Sequence, residues 1–284
     1  MGTVASLFVV LFAGVAVFTA HQNRFEGYNF GYEAYVQNNP AVLARFCGFM
    51  AALFIAAASA YQPYDSVLAT MTNIVMVITF ALVALVASQY VNDHLILRNV
   101  RNTDEVVGKR NLAVAIVEMS TYLATALIFA GGTHDASHGF WFNALWFIIG
   151  QAFMIGAVQL FATLALAPGG IGAPVFYKKI EGGNAACAVS LAGFVLSGGI
   201  VIGSMLSKQP TTFGEDLKWI ALALVGWLVL MALTRMAVMA ITWFTSLRLA
   251  WFPDELGKDN NWAAGLFDGV MFVAITAAFI SVVG

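Results

Sequence analysis

GKRNLAVAIVEMSTYLATAL, Gly108 to Leu127, passes from two basic residues and an asparagine into an apolar run that holds one carboxylate, Glu118. The run is long enough to cross a bilayer, and a carboxylate inside such a segment has to be paired or functional. The rest of the chain has the same character. It is 61% hydrophobic and 10% charged, with mean hydropathy +0.83. Soluble domains carry about 25% charged residues, so the composition defines a multi-pass membrane protein. The net charge of −2 excludes a nucleic-acid surface as the main function. Cys47 and Cys187 both fall in apolar runs and read as buried thiols.

The hydropathy pattern predicts eight transmembrane helices, at 3–20, 41–60, 66–92, 112–132, 139–167, 184–206, 217–245 and 262–283. No Lys or Arg precedes the first run, so it reads as a span and not as a signal peptide. One set of linkers carries Arg24, Arg98, Arg101, Lys109, Arg110, Lys178, Lys179, Arg248 and Lys258, against Lys208 and Lys218 on the other. The richer side is expected in the cytoplasm, with both termini outside.

The longer linkers end alike. Glu105-Val-Val-Gly-Lys-Arg-Asn111, Glu181-Gly-Gly-Asn184 and Glu255-Leu-Gly-Lys-Asp-Asn-Asn261 share a pattern, and Glu33-Ala-Tyr-Val-Gln-Asn38 is a weaker copy. Asn38, Asn111, Asn184 and Asn261 are spaced by 73, 73 and 77 residues. The fold expected is therefore all-α, four parallel two-helix hairpin repeats related by pseudo-rotation about the membrane normal. The two four-helix units would be 1–135 and 136–284. Asparagine at a helix start caps an orphan N–H, and the helix N-termini it marks also suit an anion or a lipid headgroup. The helices that follow are rich in small residues, as in Gly48, Ala52 and Ala56 or Gly265 and Gly269. They should form a tightly packed inner layer, with the aromatic-rich helices facing lipid.

Glu181-Gly-Gly-Asn-Ala-Ala-Cys-Ala-Val-Ser-Leu-Ala-Gly193 resembles the YjfL-like bacterial inner-membrane family, catalogued as a domain of unknown function (number 350). The resemblance implies two tandem four-helix units and an inner-membrane location. It brings no catalytic residues. Links of some members to phage-shock-type envelope-stress proteins imply a peripheral membrane-stress protein as a partner.

Seven residues beyond the four asparagines stand Arg45, Glu118, Leu191 and Asp268. Seven residues is roughly 10 Å of helix. Arg235, eight residues before Trp243, is expected at a similar depth. Arg45, Glu118, Asp268 and Arg235 are balanced in charge and predict one neutral intramembrane cluster. It would either fix helix register or line a path for an ion or small polar solute. Asn73, Thr79, Asn143, Gln151 and Gln159 could extend such a path or bond helices together. His134-Asp-Ala-Ser-His138 and Asn92-Asp93-His94 read as polar turns before metal ligands, and Pro168-Gly-Gly-Ile-Gly-Ala-Pro174 as a linker without the context of a nucleotide loop. No cofactor, metal or enzymatic site is expected. The leading expectation is an inner-membrane channel or transporter-like protein for an ion or small polar solute, able to associate with copies of itself. The alternative is a non-transporting scaffold or assembly subunit that binds a peripheral partner or anionic lipid.

Overall fold

The computed structural model describes residues 2–59, 66–97, 100, 102–133, 140–164, 173–207, 213–245, 256 and 260–283. The expected loop His134–His138 and most of the linker Pro168–Pro174 lie outside them, as do Arg98, Arg101, Lys208, Arg248 and Lys258. Among the described residues nine α-helices follow one another: α1 (Gly2–Arg24), α2 (Pro40–Ser59), α3 (Val67–Val91), α4 (Leu112–Thr133), α5 (Phe140–Leu164), α6 (Ala173–Glu181), α7 (Ala185–Leu206), α8 (Phe213–Thr245) and α9 (Trp262–Val283). Seven helices of the described residues are long and apolar enough to cross a membrane; α1 and α6 are not among them. The side chains of the first α1 residues are not described. The short α6 was not expected from the sequence. It buries Phe176, Tyr177 and Ile180 and ends on Lys178 and Lys179, an amphipathic piece at the bundle's end.

The two prolines among the described residues, Pro40 and Pro174, stand in the first two positions of a helix, where a missing N–H costs nothing. Three π-helical turns, Tyr32–Val36, Asn92–Ile96 and Asp104–Gly108, add to the connections.

The helices α2, α4, α7 and α9 stand in a row, each packed on the next. Their contacts keep a near-constant offset along the chain. Arg45 meets Glu118 and Ser59 meets Thr133, offsets of 73 and 74. Only parallel neighbours keep such an offset; antiparallel ones would keep a constant sum. The row replaces the rotational arrangement expected, since no extensive packing joins α2 to α9 among the described residues. Glycines set the spacing. A Cβ on Gly199 would stand 2.7 Å from the Ala124 Cα, and a Cβ on Gly203 would strike the Leu127 carbonyl. Gly265 and Gly269 approach Ala186 and Val189 in the same way. Without a hydrophobic force between helices in lipid, close backbone approach is the main source of attraction. The inner-layer expectation needs one correction. Of the spans, 72% of α4 and 78% of α7 are buried, but only 28% of α9, which has a neighbour in the row on one side only.

The capping asparagines do more than cap. Asn39 Oδ1 accepts from Ala41 and Val42 N–H, and its Nδ2 donates to the Val106 carbonyl at 3.0 Å. Asn111 caps Ala113 and donates to the carbonyls of Ile180 and Glu181. Asn184 caps Cys187 at 2.9 Å and donates to the Leu256 carbonyl at 2.7 Å. Each side chain thus clasps its own helix start to the segment before the next helix in the row. Asn261 caps Ala264. The register expected for the first copy is corrected: Asn39 caps, and Asn38 takes a positive φ of 50°. Arg110, Gly183 and Asn260 hold the same place with φ of 55°, 80° and 50°. Asparagine and glycine suit that conformation and arginine does not.

Asn184→Ala is expected to cost about 1–2 kcal/mol for the cap and about 1 kcal/mol more for the clasp. Asn184→Asp keeps the acceptor and loses only the donor. Thermal unfolding in detergent should rank the variants wild type, Asp, Ala; equal effects of the two would show that the clasp adds nothing.

Candidate functional site

Position along a helix fixes depth, and the row fixes which charges can meet. Arg45, on α2, faces Glu118 on α4. Arg45 Nε and Nη2 donate to Glu118 Oε2 and Oε1 at 2.5 and 2.6 Å, a bidentate pair in which both side chains are at most 1% exposed. Asp268, on α9, accepts from Ser190 on α7 and from Arg235 on α8, whose guanidinium also lies over the Phe161 ring at 5.7 Å. The four charges therefore form two pairs at opposite ends of the row, and not the one cluster that depth alone suggested. The corrected register explains the division. Counted from the caps, Arg45 and Ser190 are at position six, and Glu118 and Asp268 at position seven. Position six of one helix meets position seven of the next. At the central junction, α4 to α7, those positions are Val117 and Leu191, both buried. Polar, apolar and polar contacts alternate along the row, and among the described residues each charge at this level has an opposite partner.

Around Arg45 the pairing extends into a network. Arg45 Nη1 donates to Gln22 Oε1 at 3.3 Å, and Gln22 Nε2 donates to Gln89 Oε1 at 3.1 Å. The Tyr122 hydroxyl donates to the same Gln89 oxygen at 3.0 Å. Nearby, Thr121 donates to Asn92 Oδ1, and Asn102 donates to Asp93. Gln22, Gln89 and Tyr122 are buried, and Gln89 Nε2 and Asn92 Nδ2 have no partner among the described residues. Tyr28, outside the spans, belongs to the same neighbourhood. Burial pushes its phenol up to about 12, with the Arg45 charge pulling the other way, so it stays protonated.

The network borders a cavity of about 900 Å³ between α1 and α3. Its walls are apolar on one side, with Val17, Leu82 and Val86, and polar at the other, with His21, Glu26, Gln89 and Asp93. Glu26 also accepts from Thr103. A path of hydrogen bonds thus runs from the cavity wall at Gln89 through Gln22 to the Arg45–Glu118 pair. Chemically the cavity offers carboxylates to a cation and amides to a polar solute. The network offers proton or ion relay only if the Arg45–Glu118 pair opens.

The other polar residues expected on a path are dispersed. Thr79 bonds its own helix at the Val75 carbonyl and lines the cavity. Gln159 donates to the Leu95 carbonyl, and Gln151 carries a buried amide nitrogen without a partner among the described residues. His94 bonds the Tyr90 carbonyl while Asp93 faces Asn102, so Asn92-Asp93-His94 does not converge as a ligand set. Gln22 and Gln89 escaped the sequence reading because each sits at the end of an apolar run and passes for an interfacial residue. The signal that could have found them is the guanidinium: five donors at Arg45 cannot all be met by one carboxylate. Cys187 is buried as expected, but Cys47 is exposed. It lies on a face of α2 that no helix among the described residues covers.

Apolar helices packed by glycine, with charges paired across their interior, define a multi-pass helical membrane protein. The family model described as Domain of Unknown Function (DUF350) matches residues 1–133, 66–175 and 174–283, and the chain belongs to that family, in tandem copies. The middle match overlaps the first and starts at α3, one hairpin further on. No curated protein and no solved structure matches the chain.

Proposed function

We propose that this is an inner-membrane channel or transporter-like protein for an ion or small polar solute. It is read as eight spans in four parallel hairpins, with the capped helix ends in the cytoplasm and both termini outside. The observation that carries the reading is the cavity of about 900 Å³ joined through Gln89 and Gln22 to a buried ion pair. A largely apolar vestibule whose polar end leads to a charged pair inside apolar helices has the parts of a gated path: entry, relay and barrier. Glu26 and Asp93 at the wall favour cations, and Arg45 holds the barrier closed by occupying both Glu118 oxygens. Opening requires Arg45 to leave one of these oxygens, and the Gln22 oxygen is the alternative acceptor.

Reconstituted protein should pass protons, potassium or small neutral solutes across liposomes. Gln89→Leu, which cuts the relay without touching the ion pair, is expected to lower that flux at least about tenfold, which is about 1.4 kcal/mol on the barrier. Absence of flux in the wild type, or equal flux in the variant, would remove the proposal.

One observation favours a scaffold or assembly subunit instead: both ion pairs are closed, with Glu118 and Asp268 each 1% exposed. On that reading the pairs only fix helix register, and the basic capped end recruits a peripheral protein or anionic lipid. A stoichiometric partner recovered from intact membranes, together with silent liposomes, would select it.

A further inference from the structure

The row of parallel helices has two ends, and they match. Each junction uses the same two faces. Counted from the capping asparagine, the leading helix offers positions 2, 6, 9, 13, 16 and 20, and the following helix receives them on positions 4, 8, 12, 15 and 19. Gly48 lies against Met119, Ala124 against Gly199, Leu127 against Gly203, Ala186 against Gly265 and Gly193 against Gly269. On α2, α4 and α7 no residue of the offering face is exposed. On α9 all of them are: Ala263, Phe267, Val270, Ala274, Ala277 and Ser281. The receiving face shows the opposite. On α4, α7 and α9 none of its residues is exposed, whereas on α2 Cys47, Ala51 and Ala58 are.

The flanking helices show the same gap. Helix α3 packs against both α2 and α4, α5 against α4 and α7, and α8 against α7 and α9. Helix α1 takes this place beside α2, and among the described residues no second helix of the row lies against it. The groove that each of the others fills is, for α1, half built.

We infer that a second copy of this chain completes the row, its α9 packing on α2 and α1 head to tail. The open faces are those of an interface the chain already makes three times, which is what selects a second copy over a different partner. The contact would carry no unpaired charge. At the level of the ion pairs it sets Phe267 against Phe46, apolar on both sides like Val117 and Leu191 at the central junction. Four of the six offering residues on α9 are alanine or serine, small enough for close backbone approach. A contact between two different faces is heterologous; it yields a ring where its rotation closes and a longer array where it does not. The inference rests on the hairpin repeat and is independent of whether any solute crosses.

Position 9 meets position 8 at the existing junctions, as Gly48 and Gly193 show, and the corresponding pair between copies is Val270 and the native Cys47. Val270→Cys in the full chain, in intact membranes and oxidised with copper phenanthroline, should give dimers and higher bands on a non-reducing gel. The bands should vanish on reduction and in Val270→Cys with Cys47→Ala. Val83→Cys, on the exposed face of α3, should give none under the same oxidation. Absence of bands with Val270→Cys overturns the inference. So do bands that persist without Cys47, which would mean that two α9 faces meet each other. Ala274→Trp should shift the mass of wild-type particles in lipid nanodiscs from oligomer to monomer; a wild type that is already monomeric there overturns the inference as well. None of these readouts uses flux, so a silent transporter and an absent oligomer are told apart.

Discussion

Glu118→Ala is expected to destabilise the protein by about 3–5 kcal/mol, the cost of leaving a buried partner charged and alone. Arg45 is wholly buried and donates twice to Glu118, and the Gln22 oxygen supplies only one longer bond. Water cannot replace the carboxylate without entering between α2 and α4. Glu118→Gln should be nearly as damaging, since an amide keeps the shape and loses the charge. The double variant Arg45→Met with Glu118→Leu should recover most of the loss, because it removes both charges and fills the same space. Yield of folded protein on size exclusion and the midpoint of thermal unfolding in detergent measure all three. If the double variant is no better than the single ones, the pair does more than hold helices, and the transport reading gains. If Glu118→Ala unfolds no earlier than wild type, the pair is not closed in the membrane.

The second large effect is steric. Gly203→Leu is expected to cost about 3 kcal/mol or more, the upper end for overpacking, because the obstacle is backbone. A side chain there meets the Leu127 carbonyl, and the Gly131 side of the same crossing is equally tight. A flexible side chain could rotate away; a peptide group inside a helix cannot. The central junction joins the two halves with no ion pair at the Val117–Leu191 level, so glycine contact has to hold it. Gly226→Leu on α8 is the comparison. Its nearest neighbour is the ring edge of Phe279 at 3.6 Å, and it should be tolerated. Limited proteolysis of the two variants in membranes should show the halves separating only for Gly203→Leu.

The helices were legible because apolar runs of span length, with prolines only at their starts, leave no other structure in lipid. The caps were legible because asparagine recurred before small residues. The register of the first copy was not. Asn38 and Asn39 are adjacent, and asparagine serves both as a cap and in the left-handed conformation, so chemistry alone does not say which residue does which. The error moved Arg45 from position six to seven and made three charges look equivalent. Position along one helix follows from counting. Azimuth does not, since it depends on how helices are ordered in the plane, and an open row keeps apart the charges that a closed bundle would bring together. Gln22 and Gln89 needed the third dimension for the same reason.

The asparagine clasps also set a direction in time. Asn39 bonds to chain made 67 residues later, at Val106, and Asn184 waits 72 residues for Leu256. A hairpin leaving the ribosome cannot finish its own entrance; it finishes that of the hairpin before it. Insertion and locking thus alternate in the order of synthesis, so a chain stopped after α7 would leave its Asn184 amide without the Leu256 carbonyl while the two earlier clasps were already shut.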